Sequence, residues 1–311
     1  MSDSKGTILI TGGNGLVGMR LTAMLLAQGF TVRHLSTSIG PSRADDQPLV
    51  KGEVSVYGWN PAAGSINPNA LEGVDHIVNL AGASIAKRWT AEHRELIRSS
   101  RVDSLRTLYE ALAFQEHQVS SLISSSAVGF YPSSLEHVYC EDDEPSHDFL
   151  GEVCQEWEAE AKRFEDLGLR AVLLRTGIVL AESGGALPVI ARTVKWFLGA
   201  PLGSGKQVMP WIHLDDLCRM YSHALNSGLK GAYNAVGIKG ATNAEMTRGV
   251  ARALKRPVWP INVPAFVLKA VLGDQSRLVL MSTACSPEKM IRAGFTYRYS
   301  DLDVALIDIL L

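Results

Sequence analysis

The chain has 311 residues, 46% of them hydrophobic and 20% charged, and its 30 Lys plus Arg against 32 Asp plus Glu leave a formal net charge of −2. This is the composition of a soluble globular protein, long enough for two domains or for one α/β domain with an appendage. With no long basic or acidic block, neither nucleic acid nor an anionic membrane is expected as a partner, and a small-molecule substrate becomes the default.

The N-terminal MSDSKG carries no long apolar run of a secretory signal and leads straight into TILIT at 7–11, a strand. An amphipathic helix follows over 16–28, with Leu16, Val17, Leu21, Met24 and Leu25 at helical spacing and Gly29 at its C-terminal end. Between strand and helix stand Gly12, Gly15 and Gly18 in GxxGxxG spacing. The first glycine allows a tight turn, the second lets backbone N–H groups approach a pyrophosphate, and the third lets the helix pack closely on the strand. A second strand, FTVRHL at 30–35, completes the context that makes this triplet a dinucleotide-binding signature. It ends at Leu35-Ser36-Thr37-Ser38, and no Asp or Glu occurs between Gly18 and Asp45. An acid there would bind the ribose 2′-hydroxyl of NAD. Its absence favours the 2′-phosphate of NADP, with Ser36 and Thr37 as donors and Arg33 or Arg43 as a source of charge.

HIVNLAG at 76–82 is the next strand, followed by a helical pattern over 90–114. Lys87-Arg88-Trp89 precede that helix, and Arg94, Arg98 and Arg101 recur along one of its faces, beside the strand ends where open α/β sheets bind ligands. A solvated face is the competing reading, and Arg101 is the one chosen as a phosphate contact. SLISSS at 121–126, a helix over 150–167 and AVLLRTG at 171–177 continue the alternation. Strands alternating with helices specify βαβ units, hence a Rossmann-type, doubly wound parallel sheet. Apolar stretches such as 171–174 are broken by Arg175 long before the ~18 residues of a membrane span.

After about residue 180 the pattern changes to Gly/Pro-punctuated segments such as SGGALP (183–188) and GAPLGSG (199–205). Thr242 with Glu245 has the form of a capping box, and Ser286-Pro287 marks another helix start. The expected division is a cofactor-binding domain over 1–180 and a smaller C-terminal α/β lobe over 181–311 that binds substrate, with elements free to interleave. Cys140, Cys154, Cys218 and Cys285 form no CxxC pair, which suits reduced thiols in the cytoplasm. No metal is expected, since there is no HExxH and His137 with Cys140 reads as an ordinary loop.

TGGNGLVG, NLAG, ISSSAV, PWIHLDDL (210–217) and YNAVG (233–237) together resemble the extended short-chain dehydrogenase/reductases. With VNLAGASIAKRW (78–89), SRVDSL (100–105), DFLGEVCQEWEAEA (148–161), LRTGIVL (174–180), GGALP (184–188), PLGSGKQVMPWIHLDDL (201–217) and TNAEM (242–246), the whole chain is similar to an atypical group. These are the NAD(P)-dependent epimerase/dehydratase family proteins, some described as cell-division inhibitor-like. The resemblance implies NADP(H) as the preferred cofactor, with NAD(H) as the alternative. It would be held by Gly12, Asn14, Gly15, Leu16, Val17 and Gly18, by Ser36 and Thr37, by Leu80, Ala81 and Gly82, and by Arg101. Thr37 stands where the group often carries arginine. By the same analogy the protein would form a homodimer.

Active members of that superfamily pair a Ser or Thr with a Tyr-x-x-x-Lys that exchanges a proton with the substrate. Ser126 fits the serine position, but Asp148 to Cys154, where Tyr and Lys should follow, contains neither. Phe149, Val153, Trp157 and Phe164 instead form an apolar stripe that reads as core. The remaining proton donors are Tyr131, His213 and Cys154, each with a structural alternative as a packed or capping residue. Trp89 and Trp211 would wall the substrate pocket or belong to the core, and Arg88 would bind an acidic substrate group. Two functions stay open: an oxidoreductase or epimerase acting on a small hydroxyl- or carbonyl-bearing compound, and a cofactor-binding sensor or scaffold that lacks the proton relay.

Overall fold

The computed structural model describes residues 4–39 and 48–311. Strand β1 (Thr7–Thr11) enters helix α1 (Leu16–Ala27) and the chain returns as β2 (Thr31–Ser36). Then come β3 (Leu49–Lys51), β4 (Val54–Asn60), β5 (Ser65–Ile66), β6 (His76–Asn79), α2 (Ala91–Ala113), β7 (Ser121–Ala127), β8 (Ser134–Tyr139), α3 (Phe149–Lys162) and β9 (Arg170–Thr176). The remainder is β10 (Ile178–Leu180), α4 (Leu187–Lys195), β11 (Val208–Met209), β12 (Trp211–His213), α5 (Leu214–Asn226), β13 (Gly231–Ala235), β14 (Ala241–Thr242), α6 (Asn243–Ala253), α7 (Ala265–Leu272), α8 (Ser276–Leu280), β15 (Thr283–Cys285), α9 (Glu288–Arg292) and α10 (Leu302–Leu310).

The main sheet has the order β13-β9-β7-β6-β1-β2-β4-β3, with β5 on β4. Every pairing from β13 to β4 is parallel. The order reverses between β1 and β6, the switch point at which doubly wound sheets open a ligand crevice. One sheet face places Ile8, Ile10, Val78, Ile123 and Val172 against Leu21 and Leu25 of α1 and Leu217 and Tyr221 of α5. The other places Leu9, Ile77, Leu122 and Leu173 against Leu105 and Leu108 of α2 and Trp157 of α3. Burial on both faces explains why these strands read as continuous apolar runs.

Four sheet members escaped the sequence reading: the very short β3 and β5, and the longer β4 and β13. β4 (VSVYGWN) contains a glycine and runs into Asn60-Pro61, yet it buries Val54, Val56, Tyr57 and Trp59. β13 (GAYNA) is short and poor in branched residues, and pairing with β9 makes it a strand. α5 and β13 both lie beyond residue 180 and return to the sheet, so the C-terminal part interleaves with it. A separate core there gathers Leu187, Val194, Trp211, Met246, Val250 and Leu306. The capping box of Thr242 and Glu245 is present at α6. No helix among the described residues is long and apolar enough to cross a membrane.

A buried polar hub joins the C-terminal ends of the strands. Ser126, Arg175 and Asn234 are neighbours in cross-strand register on β7, β9 and β13. Arg175 is 3% exposed and Glu158, one turn from the end of α3, is 2% exposed. Arg175 Nε and Nη2 donate to the two Glu158 carboxylate oxygens at 2.8 and 2.9 Å. Its Nη1 donates to the Tyr131 hydroxyl and to the Glu141 carbonyl, both at 2.9 Å. Burial alone would lower the Arg175 pKa, but the hydrogen bonds and charge of Glu158 raise it above the ordinary arginine value. Removing one member of such a pair strands the other charge. Arg175→Met is therefore expected to cost about 3–5 kcal/mol, read as a fall in the urea midpoint, and the double variant with Glu158→Met to recover much of the loss.

Candidate functional site

The glycine loop crosses the switch point under tight steric limits. Gly12 has φ +67°, and a Cβ on it would lie 2.7 Å from the Leu80 carbonyl oxygen. A Cβ on Gly18 would stand 2.4 Å from the Gly12 carbonyl, so the first turn of α1 seats directly on the loop. The Gly15 N–H donates to the Gly12 carbonyl at 2.9 Å, closing the turn. Gly15 caps α1 without a side chain, and no acid stands in the first turn. The first N–H groups of α1 thus have no side-chain acceptor, which leaves the partial positive charge of the helix terminus available to an anion.

Two supports were not foreseen. Thr11, fully buried at the end of β1, accepts the N–H groups of Leu80 and Ala81, both at 3.1 Å, and donates to Asn79 Oδ1 at 2.7 Å. The Ala83 N–H donates to Ser100 Oγ of α2 at 2.9 Å, so the 80–83 loop is held from both sides. Gly13 is also size-limited, because a Cβ on it would meet the His34 ring at 2.5 Å. The TGG sequence before the second loop glycine was the available signal for both Thr11 and Gly13.

The loop opens on a cavity of about 440 Å³ lined by Gly12, Asn14, Ser36, Thr37, Trp59, Asn60, Ala81 and Gly82, among others. Trp59 and Asn60 come from β4, the strand that the sequence hid. Thr37 is exposed, whereas Ser36 is buried and its Oγ accepts the Ser38 N–H at 3.2 Å. Leu16 lies beside Gly184, and Val17 packs at the edge of the core. Arg33 does not line this cavity. Its Nη1 donates to the carbonyls of Asn69, Ala70 and Glu72, and the guanidinium lies over the Tyr57 ring, because the β2 end turns it toward the 69–72 loop. Arg43 lies outside the described residues.

The three α2 arginines have separate fates. Arg94 pairs with Asp274, and Arg98 with Glu156 at 2.6 Å and Glu152 at 3.6 Å. Arg101 has no carboxylate partner among the described residues; its Nη1 donates to the carbonyls of Ile97 at 2.8 Å and Ala83 at 3.2 Å, and its guanidinium stands over Trp157. Burial lowers its pKa. A Cβ on Gly82 would come 3.1 Å from its Cζ, so the cation stands against the wall of the first cavity. It also lines a second cavity of about 170 Å³ with Ile97, Val128, Leu150, Cys154, Thr176, Met209, Leu278 and Thr283, among others.

The expected proton donors do not converge on that second cavity. Ser126 is 2% exposed and donates to Glu158 Oε1 at 2.7 Å, because register places it beside Arg175 in the hub. The fully buried Tyr131 donates to Asn234 Oδ1 at 2.8 Å, and burial raises its pKa. His213 caps α5, its Nδ1 accepting the Asp215 N–H at 3.1 Å; its ring stacks on Tyr299, and burial lowers its pKa. Trp89 packs edge-on against Phe149, and Trp211 belongs to the C-terminal core, so neither lines the cavity. Arg88 lines a separate outer groove with Lys87 and His93. Cys154 does reach the cavity, but burial, reinforced by the Glu158 charge, pushes its thiol up to about 12. Among the described residues, what converges is an anion-ready glycine cradle, a β2 end that carries Ser36 and Thr37 with Asp103 of α2 in the same cavity lining, a guanidinium without a carboxylate partner, and an apolar chamber without Tyr, Lys or His.

Comparison with known proteins agrees with this architecture. The NAD dependent epimerase/dehydratase family profile matches residues 8–236, and a domain of unknown function, DUF1731, matches residues 263–309. The chain is 36% identical over 306 residues to an epimerase family protein of Staphylococcus haemolyticus, covering 97% of this chain and 98% of the relative. It is similar to human epimerase family protein SDR39U1 (isoform 2), solved with NADPH, at 30% identity, with a TM-score of 0.85 over 97% of this chain and 98% of the other. A nucleoside-diphosphate sugar epimerase from Corynebacterium glutamicum aligns at 31% identity and a TM-score of 0.78 over 99% of this chain and 58% of its own.

The thiols offer a direct check on the described packing. Cys140 is exposed, while burial raises the pKa of Cys154, Cys218 and Cys285. At pH 8 a disulfide exchange reagent should modify one thiol quickly and the others only on unfolding, and Cys140→Ser should abolish the fast phase.

Proposed function

The chain belongs to the NAD-dependent epimerase/dehydratase family, and from that premise we propose that it is an NADP(H)-binding oxidoreductase or epimerase of the atypical extended short-chain dehydrogenase/reductase type, acting on a small hydroxyl- or carbonyl-bearing compound. The observation that carries this reading is the pairing of an uncapped α1 terminus with Arg101, a guanidinium that no carboxylate among the described residues neutralises.

The cradle fits a dinucleotide: Gly12 and Gly18 hold a turn that any Cβ would break, and Gly15 leaves the N–H groups of the first α1 turn accessible. Thr37, and the lack of any Asp or Glu in the sequence between Gly18 and Asp45, suit a 2′-phosphate, in keeping with the NADPH of the human relative. Leu80, Ala81 and Gly82, held by Thr11, shape the far wall, and Arg101 supplies charge where the two cavities approach. When bound, the nicotinamide supplies or accepts a hydride. The apolar residues of the second cavity exclude water from the reacting carbon. Ser126 and Tyr131 act through the hub, as positioning residues for β7, rather than on a substrate. Four free cysteines fit a cytoplasmic setting.

The second reading, a non-catalytic NADP(H) sensor or scaffold, is favoured by one observation: the titratable groups in the apolar cavity are Arg101 and a Cys154 thiol that remains protonated at neutral pH. A fluorescence titration should show NADPH binding more tightly than NADH. Gly15→Glu should weaken NADPH at least tenfold and Arg101→Met by roughly tenfold, the scale of one charge-assisted hydrogen bond. Unchanged affinity in both variants would remove the cradle from cofactor binding. Oxidation of bound NADPH by a member of a broad carbonyl panel supports the enzyme, and inertness toward the whole panel supports the sensor.

A further inference from the structure

Two buried polar atoms on side chains that line the apolar cavity are not used by the packing, Trp157 Nε1 and Thr283 Oγ1. Thr283, in the C-terminal part of the chain, is 2% exposed, lines the cavity, and its Oγ1 has no hydrogen-bond partner among the described residues. Its backbone is held firmly: the adjacent Ser282 N–H donates to Ser133 Oγ at 2.9 Å, the Ser282 carbonyl accepts the Ser134 N–H at 2.8 Å, and Ser282 Oγ accepts the Val208 N–H at 3.0 Å. The other hydroxyl of the lining is already engaged, Thr176 Oγ1 donating to the Leu174 carbonyl at 3.1 Å. A valine would fill the same shape without burying an unpaired hydroxyl, so the threonine is costly unless something in the cavity accepts its proton. A lone water is a poor candidate, because buried waters need two to four polar partners and the walls here are mainly Ile97, Val128, Leu150, Met209 and Leu278.

Size and polarity narrow the occupant. The cavity measures about 170 Å³, and an engineered apolar cavity of about 150 Å³ holds benzene. A sugar nucleotide would bring a ring of hydroxyls and a diphosphate into walls that offer Arg101, Trp157, Thr176, Cys154 and Thr283 as polar side chains. Most of those hydroxyls would be desolvated without partners.

We propose that this cavity binds a compact, apolar-bodied carbonyl compound rather than a sugar nucleotide, and that Thr283 positions it by donating its hydroxyl proton to the carbonyl oxygen. The inference names the substrate class of the oxidoreductase reading and rests on that reading for its role, while the binding itself stands on the cavity.

The test uses the full chain, with and without saturating NADPH, and fluorine NMR titration of 4-fluoroacetophenone and of its hydrocarbon counterpart, 1-fluoro-4-isopropylbenzene. Both probes are expected to bind. Thr283→Val should weaken the ketone three- to tenfold, as expected for one neutral hydrogen bond, with the hydrocarbon unchanged and the variant melting no lower than the parent. Thr283→Ser should retain the preference for the ketone, and Met281→Trp, which fills the chamber, should abolish binding of both. A ketone affinity indifferent to Thr283→Val overturns the role of Thr283. Displacement of the ketone by UDP-glucose at lower concentration overturns the substrate class, and displacement of both probes by NADPH assigns the cavity to the cofactor ring instead. NADPH binding is read separately by its own fluorescence, so a chain that binds the ketone but not NADPH contradicts the cofactor reading and leaves this one standing.

Discussion

The structure depends on the ion pair between Arg175 and Glu158. It lies at the C-terminal edge of the sheet, where a parallel α/β fold must bring loops from several strands to one place. Two charges are buried there at once, and such a pair is tolerable only if every hydrogen-bonding position is filled. Ser126, Tyr131 and the Glu141 carbonyl fill them, and Asn234 extends the network to the carbonyls of Tyr139 and Ser286. One guanidinium therefore connects β7, β9, β13, α3 and the segment that follows β8.

That hub has a chemical consequence. A serine and a tyrosine near the end of β7 are the residue types from which a proton relay is built, but here both are committed to hydrogen bonds with a buried ion pair. The chamber above β7 is correspondingly apolar, and its few polar side chains come from other elements: Arg101 from α2, Cys154 and Trp157 from α3, Thr176 from β9 and Thr283 from the C-terminal part. The same principle separates the arginines of α2. Arg94 and Arg98 meet carboxylates at the surface, whereas Arg101 rests on two carbonyls and an indole face, with no carboxylate partner among the described residues.

The cradle is governed by backbone sterics. Three glycines stand where a Cβ would strike the Leu80 carbonyl, the His34 ring or the Gly12 carbonyl, and Gly15 differs in that its Cβ would meet a single neighbour, the Gly12 carbonyl oxygen at 3.2 Å. Thr11 converts this packing into a site by gripping the Leu80 and Ala81 amides across the switch point. The cradle is thus held by buried neutral hydrogen bonds.

Local patterns were sufficient for much of this. The spacing of Gly12, Gly15 and Gly18 after an apolar strand, the 3.6-residue periodicity of α1 and α2, and the box of Thr242 and Glu245 are short-range features, and backbone geometry alone dictates what they become. The amino-acid sequence by itself therefore determined the parallel α/β class and the strand-turn-helix form of the glycine loop. It could not determine where Ser126, Tyr131, His213 and Arg33 would point, because each orientation follows from cross-strand register or from a partner far away in the chain, as with Ser126 beside Arg175 and Arg33 over Tyr57. β4 and β13 were hidden for the same reason, since pairing with a neighbour makes them strands. Thr283 lies 182 positions from Arg101 in the numbering of the chain, and only closure of the C-terminal part over the sheet brings both to one cavity.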